Sequence, residues 1–342
     1  METFRYHSHI GQSAWTDLRR LLLDEAVSDL RGMPTLKRIG GRKYWYDRYR
    51  LGTKTVDKYI GEDGDALRAR LERHKQAKSE RDEARPQRSR LMQVLRAEGY
   101  LAPDVATGQI IAALAQAGVF RLGGTIVGTQ AFRAYEGELG VQIGFDQSAQ
   151  TDDIDIASFE RLSLALGDQV STELQEVFAG LKFNPLPAMQ PGHVWRWMQS
   201  HRQTQVEFLT PSFSDDEDLR KLPALGVSAQ SLHFLNYLIA EPITVPLLYC
   251  SGVLVQVPRA ERYAIHKLIV ATRRRPGEGQ QKARKDRAQA DFLVRFLAEE
   301  RPDALAEAYQ QARNAGSAWR KAIDQSLAQL PATAAALASL PG

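Results

Sequence analysis

Residues 151–157, TDDIDIA, alternate acidic and apolar side chains near the middle of the chain. In a β-strand, side chains two positions apart point to the same face. Asp153 and Asp155 would therefore lie about 7 Å apart, while Ile154 and Ile156 face the core. Close carboxylates repel and raise each other's pKa. The pattern predicts either a solvated acidic face on an edge strand or a pair of carboxylates that holds a cation.

A cation at this position would have oxygen ligands only, so the predicted cofactor is Mg²⁺, or Mn²⁺ in its place. A two-metal site that transfers phosphoryl groups generally needs a third carboxylate on a neighbouring strand. Glu207 is the only acid in the apolar run 206–209, VEFL, and is the candidate. Asp152 would point away from the face of Asp153 and Asp155, so we expect it to be a solvent-facing or turn residue and not a ligand.

A phosphate-binding turn is predicted in residues 126–132, IVGTQAF. A strand ends at Gly128, the hydroxyl of Thr129 follows, and a helix begins, so backbone N–H groups would face an anion. The segment 123–125, GGT, offers the same chemistry a few residues earlier. We favour Gly128 and Thr129 because the helix-forming pair Ala-Phe follows closely.

Together these motifs resemble the DNA polymerase beta-type nucleotidyltransferase superfamily over about residues 105–300. The most similar group is an uncharacterised bacterial set of nucleotidyltransferase-fold proteins, with more distant similarity to AbiE-type toxin nucleotidyltransferases. The resemblance implies that Gly128 and Thr129 contact the triphosphate of an NTP substrate. It also implies that Asp153, Asp155 and Glu207 hold two Mg²⁺ ions.

The same resemblance extends to the basic helical segment after residue 259. It implies nucleotide-binding roles for Lys267, which would neutralise charge on the β- and γ-phosphates, and for the pair Lys285 and Asp286. One departure is the 25-residue distance between Gly128 and Asp153, which is longer than the family's usual spacing. We therefore interpret residues 135–150, YEGELGVQIGFDQSAQ, as an insertion.

The predicted fold class is α+β. A nucleotidyltransferase-type mixed sheet is flanked by helices, an N-terminal helix is followed by a small antiparallel sheet, and the C-terminal region is helical. We predict three domains: a basic N-terminal module over residues 1–100, a catalytic domain over 101–258, and a helical domain over 259–342.

The N-terminal module carries most of the positive charge. Residues 1–100 hold 22 Lys and Arg against 15 Asp and Glu, a net charge of +7, whereas the whole chain has a formal net charge of +4. In residues 41–61, basic side chains alternate with aromatic ones, which is typical of surfaces that bind nucleic acid. The predicted contact residues are Arg42, Lys43, Tyr44, Tyr46 and Arg48. Alternatively, these aromatic residues pack on the helix predicted around Leu18 to Leu30.

Cys250 is the only cysteine, which excludes an intramolecular disulfide and a cysteine-based zinc site. The first residues lack the apolar stretch of a signal peptide, and the most apolar segment, 243–257, is interrupted by Pro246 and Gly252. We therefore expect a cytoplasmic protein without a membrane partner.

The predicted activity is the transfer of a nucleoside monophosphate from an NTP to an acceptor. RNA, with tRNA as one candidate, is the first choice of acceptor because the N-terminal module is basic. A toxin or defence role with an antitoxin-like protein partner is a narrower prediction. Two alternatives stay open: a non-catalytic nucleic-acid-binding protein on a degenerate scaffold, and transfer to a hydroxyl of a protein or small molecule.

Overall fold

The computed structural model describes residues 4–26, 32–39, 41–51, 54–144, 153–161, 169–188, 190–202, 204–214, 216–274, 277 and 279–341. Within these residues the chain is α+β, with a mixed central sheet, a small antiparallel N-terminal sheet and a helical C-terminal region. The predicted fold class is thereby confirmed. The prediction for Asp152 falls on a residue outside the described ones.

Helices and strands are numbered here along the described residues. The helices are α1 His9–Ala26, α2 Asp65–Ala97, α3 Val105–Ala117, α4 Gly128–Leu139, α5 Leu174–Gly180, α6 Leu235–Leu238, α7 Ala260–Arg273, α8 Gly279–Glu300, α9 Pro302–Asn314, α10 Ser317–Leu327 and α11 Pro331–Ala338. The strands are β1 Met33–Ile39, β2 Arg42–Leu51, β3 Lys54–Glu62, β4 Thr125–Val127, β5 Asp153–Ala157, β6 Phe183–Pro185, β7 Arg196–Gln199, β8 Gln205–Pro211, β9 Leu219–Leu222, β10 Val227–Leu232, β11 Ile243–Leu247 and β12 Val253–Val257.

The central sheet has the strand order β4-β5-β8-β10-β9, and β7 joins β8 and β6 at its side. Strand β5 runs parallel to β8, and β8 runs parallel to β10, whereas β4 pairs antiparallel with β5. Strands β1, β2 and β3 form the separate antiparallel sheet in sequence order, and β11 pairs with β12. The acidic strand β5 is therefore an interior strand, paired on both sides, and not an edge strand.

The alternation in β5 has the predicted effect on burial. Ile154 and Ile156 are fully buried, whereas Asp153 and Asp155 on the opposite face are half-buried. The isoleucines belong to one hydrophobic core that extends from Ala14 to Leu337. This core fixes β5 in the sheet by burying its apolar face.

Two segments differ from the sequence expectations. The first five residues of the segment interpreted as an insertion, 135–139, continue helix α4, because Tyr135 and Glu136 lie on its buried face. Residues 145–150 lie outside the described residues. Near the carboxyl end, where no role is predicted from the sequence, α11 packs through the buried residues Thr333 and Leu337.

Helix α2 ends at Ala97 and α7 begins at Ala260, close to the predicted domain boundaries, which stay predictions. None of the helices in the described ranges has both the length and the hydropathy that crossing a bilayer requires.

Candidate active site

A row of four residues crosses the central sheet near the carboxyl end of β4 and includes two of the predicted carboxylates. Val127 of β4 pairs with Asp155 of β5, and Asp155 pairs in turn with Glu207 of β8. On the other side of β8, Arg196 of β7 pairs with Glu207. Paired residues on neighbouring strands share a face and have Cα atoms about 5 Å apart. Asp155 and Glu207 are therefore direct neighbours, although 52 positions separate them in the sequence.

Asp153 lies two positions before Asp155 on the same face of β5, where its cross-strand partner is Gln205 of β8. Its side chain is half-buried. The structure therefore places the three predicted carboxylates on one face of two adjacent parallel strands.

Gly128 follows β4 directly and lies against the carboxylate of Asp155. Its φ of +68° is in the left-handed region, and a Cβ atom at this position would come within 2.4 Å of Asp155 Oδ2. Only glycine fits such a close approach without strain. A Cβ on Gly124 would instead meet Val119, and Thr125 lies in β4 opposite Ala157. Of the two candidate turns, the one at Gly128 adjoins the carboxylates.

A cavity of about 320 Å³ opens at this row of residues. Its walls include Gly128, Asp155 and Glu207 from the sheet region. Helix α7 and the residue after it supply another part of the wall, with polar or charged side chains at Tyr263, His266, Lys267, Arg273 and Arg274. This spacing places one side of α7 along the cavity. Carboxylates and cations thus line the same cavity.

Burial and mutual repulsion both raise the pKa values of Asp155 and Glu207. Burial, together with Asp153, raises the pKa of Asp155 to about 6. Burial and the neighbouring Asp155 raise the pKa of Glu207 to about 7. The cations Lys267, Lys282 and Arg274 oppose the shift at Asp155, and Arg196 and Lys282 oppose it at Glu207, without cancelling it. Burial is the larger cause of both shifts, and the nearby cations offset it only in part.

The donor set on this face consists of carboxylate oxygens, which are the ligands that Mg²⁺ prefers. Among the described residues, no three His, Cys, Asp or Glu side chains converge in a way that would enclose an ion. The strand pairing brings the backbones of Asp155 and Glu207 side by side. The residues fit a hard divalent cation by chemistry and by strand position.

The other predicted nucleotide-binding residues have different surroundings. Thr129 is buried in the first turn of α4 and does not line the cavity. Asp286 of α8 is buried and forms ion pairs with Lys267 Nζ at 2.5 Å and with Arg274 Nε at 2.9 Å. Asp286 therefore pairs with Lys267 of α7 and with Arg274, which directly follows α7. It does not pair with Lys285, its neighbour in the sequence. Lys285 is half-buried, and burial, assisted by Lys267, lowers its pKa.

The predicted nucleic-acid contacts lie on β2 of the N-terminal sheet. Arg48 forms a bidentate ion pair with Asp57, at 2.7 and 3.0 Å, so its charge is already compensated. Tyr46 packs beneath Lys37, whose Nζ lies 4.5 Å from the ring centroid, and Tyr44 is half-buried. Lys43 is exposed. The backbone of Arg42 pairs with Ile39, but its side chain lies outside what the structure describes.

Several residues of the site were missed by the sequence analysis. Arg196 pairs with Glu207 through the register of β7, which no local pattern reveals. Tyr263 donates a hydrogen bond of 2.8 Å from its hydroxyl to the carbonyl oxygen of Gly128. Lys282, on α8, acts electrostatically on both Asp155 and Glu207. Arg274 could have been suspected from the basic run 273–275, which follows a helical pattern.

Comparison with known proteins adds independent evidence. A family model described as "Nucleotidyltransferase" matches residues 105–314, more than half of the chain, and this range contains the cavity. A second model, a domain of unknown function (DUF6788), matches residues 14–69, from within α1 to the start of α2. Searches found no match among curated proteins or among solved structures. On the family-model match, this chain belongs to the nucleotidyltransferase family.

Proposed function

We propose that the cavity at β5 and β8 binds an NTP and transfers its nucleoside monophosphate to an acceptor hydroxyl, releasing pyrophosphate. The observation that carries this proposal is the pairing of Asp155 with Glu207 on parallel strands, beside the Gly128 turn and in a cavity that Lys267 and Arg274 also line. Carboxylates and cations that line one cavity suit a substrate that carries both metal-bound and free phosphate oxygens. The family membership of the chain supports the same class of reaction.

The phosphates would lie between the turn and α7. Helix α4 begins at Gly128, and the first N–H groups of a helix have no partner within the helix, so they attract anions. Lys267 and Arg274 would neutralise the outer phosphates from the other wall. A phosphate contact by Thr129 stays a prediction, since this residue is buried and does not line the cavity.

Mg²⁺, or Mn²⁺, would be held by Asp153, Asp155 and Glu207. The bound ions would supply charge stabilisation for the phosphates and for the attacking oxygen. Glu207 would also help to remove the proton of the acceptor hydroxyl. The acceptor oxygen then forms a bond to the α-phosphorus, while the bond from that phosphorus to the departing pyrophosphate breaks.

For the acceptor we propose RNA, with tRNA as the first candidate. The support is the charge of the N-terminal module, where exposed cations remain on the small sheet, Lys43 and Arg38 among them. A toxin role with an antitoxin-like partner is a narrower form of the proposal. A small gene next to that of this chain, encoding an antitoxin-like protein, would support it.

The test is incubation of the purified chain with labelled NTPs, Mg²⁺ and total RNA. We expect label to enter RNA with the wild type, and no transfer above background with Asp155→Asn or Glu207→Gln. Glu307→Gln, a change at an exposed acid in α9, is the matched control and should retain activity.

The outcomes separate the competing functions. Transfer of label to a protein or to a small molecule would identify that molecule, and not RNA, as the acceptor. RNA binding that persists in Asp155→Asn, with no transfer by the wild type to any acceptor, would contradict the enzymatic proposal and favour the non-catalytic alternative. Full activity of Asp155→Asn would contradict the assignment of the site.

A further inference from the structure

Helix α8 presents polar side chains where a buried helix normally presents apolar ones. Asp286 is 2% exposed and Gln289 is fully buried, and both face α7 in the interior. Burying a charged or amide side chain is unfavourable unless its partners satisfy it. Both residues are therefore held in place by specific contacts, and their partners are residues that line the cavity.

Asp286 joins two cations of the cavity wall. Its two carboxylate oxygens accept separate hydrogen bonds, one from Lys267 Nζ at 2.5 Å and one from Arg274 Nε at 2.9 Å. Lys267 is itself buried, with 7% of its side chain exposed. The opposing charges hold the pKa of Asp286 below its usual range in spite of burial. One acid and two cations leave a net charge of +1 beside the cavity.

Gln289 acts on the other side of the site, through a tyrosine. The Tyr263 hydroxyl lies 2.8 Å from the carbonyl oxygen of Gly128, to which it donates, and 3.0 Å from Gln289 Oε1. Tyr263 is buried and stacks against Phe132 of α4. The conformation of the Gly128 turn is thus coupled to helix α8 through Tyr263.

The four residues form one unit, which we call the α7–α8 interlock: Tyr263, Lys267, Asp286 and Gln289. Tyr263 and Lys267 are four residues apart on α7, and Asp286 and Gln289 are three residues apart on α8, so each pair lies on one helical face. Lys267 contacts Asp286 and Tyr263 contacts Gln289. Tyr263 and Lys267 line the cavity, whereas Asp286 and Gln289 lie behind them.

We infer that Asp286 and Gln289 are positioning residues for the nucleotide phosphates, acting through Lys267 and Arg274 on one side and through Tyr263 and the Gly128 turn on the other. This inference rests on the proposed function. A buried ion pair adds little to stability compared with apolar residues of similar size, so the pair is better explained by the orientation it imposes on cations that line the cavity.

The test compares Asp286→Asn with Asp291→Asn. Both acids lie on α8 and both form ion pairs, but Asp291 contacts Arg295 and Thr333, away from the cavity. We expect Asp286→Asn to raise the KM for the NTP and the Kd for a non-hydrolysable NTP analogue about tenfold or more, and Asp291→Asn to change neither. Asp286→Glu, which keeps the charge, should recover part of the affinity.

A double-mutant comparison separates positioning from general stability. If Asp286 acts through the two cations, Asp286→Asn should weaken analogue binding less in a Lys267→Ala background than in the wild type. Gln289→Leu, which is apolar and of similar length, should lower kcat while the chain stays folded by circular dichroism. If Asp286→Asn does not fold, Asp286→Glu and Gln289→Leu provide the same readouts.

The result also distinguishes a failure of the proposed function from a failure of the positioning role. If the wild type binds no NTP analogue, the proposed function fails and this inference fails with it. If the wild type binds and Asp286→Asn binds equally well, only the positioning role is overturned. Equal losses in Asp286→Asn and Asp291→Asn would likewise contradict it, because they would indicate a loss of helix packing.

Discussion

At the scale of single residues, Gly128 has the tightest constraint in the site. A methyl group there would lie 2.4 Å from Asp155 Oδ2, and the φ of +68° disfavours any residue with a Cβ atom. We expect Gly128→Ala to displace the carboxylate and the turn together and to lower the transfer rate about 100-fold, as misplacement by about 1 Å can do. Activity with Mg²⁺ and NTP is the measurement.

Gly180→Ala is the control for this change. Gly180 ends α5, and a Cβ atom there would meet no other atom within 4 Å. The Gly180→Ala variant should therefore retain full activity. If Gly128→Ala is as active as Gly180→Ala, the Gly128 turn does not position the reacting groups.

The carboxylates should make stability depend on pH and on metal. The pKa values of Asp155 and Glu207, about 6 and about 7, lie above the ordinary values of 3.8 and 4.5. The folded chain then binds more protons than the unfolded chain in this window, so without metal its stability falls as the pH rises from about 4.5 to about 7. With partial solvent screening we expect a loss on the order of 2 kcal/mol.

Mg²⁺ competes with protons for these carboxylates and should restore the lost stability. We expect MgCl₂ to raise the Tm more at pH 8 than at pH 5, because the carboxylates are ionised only at the higher pH. Thermal unfolding at both pH values, with and without MgCl₂, measures this, and Glu207→Gln should reduce both the pH effect and the Mg²⁺ effect. An equal shift of Tm at the two pH values would argue against a carboxylate site.

At the scale of secondary structure, a local pattern predicted strand β5. The pairing of the strands and the contacts between the helices depend on long-range packing. The alternation in TDDIDIA was sufficient because every second side chain of a strand shares a face. From the sequence, Glu207 could be expected only on a strand next to that of Asp155. The direct pairing of the two residues could not be predicted, because the register of the strands depends on the whole sheet. The partner of Asp286 was unpredictable for a similar reason: Lys267 lies 19 residues away, and its contact depends on how α7 packs on α8.

Helix α11 illustrates an element whose role no local pattern indicates. Its sequence, PATAAALA, has little amphipathic character, but Thr333 donates a hydrogen bond of 2.5 Å to Asp291 of α8. Leu337 is 5% exposed within the core. We expect Leu337→Ala to lower the free energy of unfolding by about 2–3 kcal/mol, the usual loss for a buried leucine.

The measurement for α11 is denaturant unfolding, with Ala335→Ser at an exposed position of the same helix as the control. The KM for the NTP should be unchanged in both variants, since α11 contacts α8 away from the cavity. A loss below about 0.5 kcal/mol for Leu337→Ala, the range of surface substitutions, would show that α11 is not part of the cooperative core.

At the scale of the whole molecule, one family model matches the nucleotidyltransferase region, residues 105–314, and a second matches residues 14–69 within the predicted basic N-terminal module. Arg38 and Lys43 pair across β1 and β2 of this module and are both exposed. Arg48, by contrast, is compensated by Asp57. Arg38 and Lys43 therefore offer exposed positive charge to a polyanion on one face of the sheet.

If this face binds RNA phosphates, the double change Arg38→Glu and Lys43→Glu should weaken RNA binding and leave NTP binding unaltered. Each lost phosphate contact lowers the slope of log K against log salt by about 0.7–0.9, so the slope should fall by about 1.5. Binding measured across a salt series, with Lys321→Glu at an exposed position of α10 as the control, gives this slope. An unchanged slope would place the acceptor elsewhere, whereas a parallel loss of NTP binding would mean that the changes act on folding rather than on RNA.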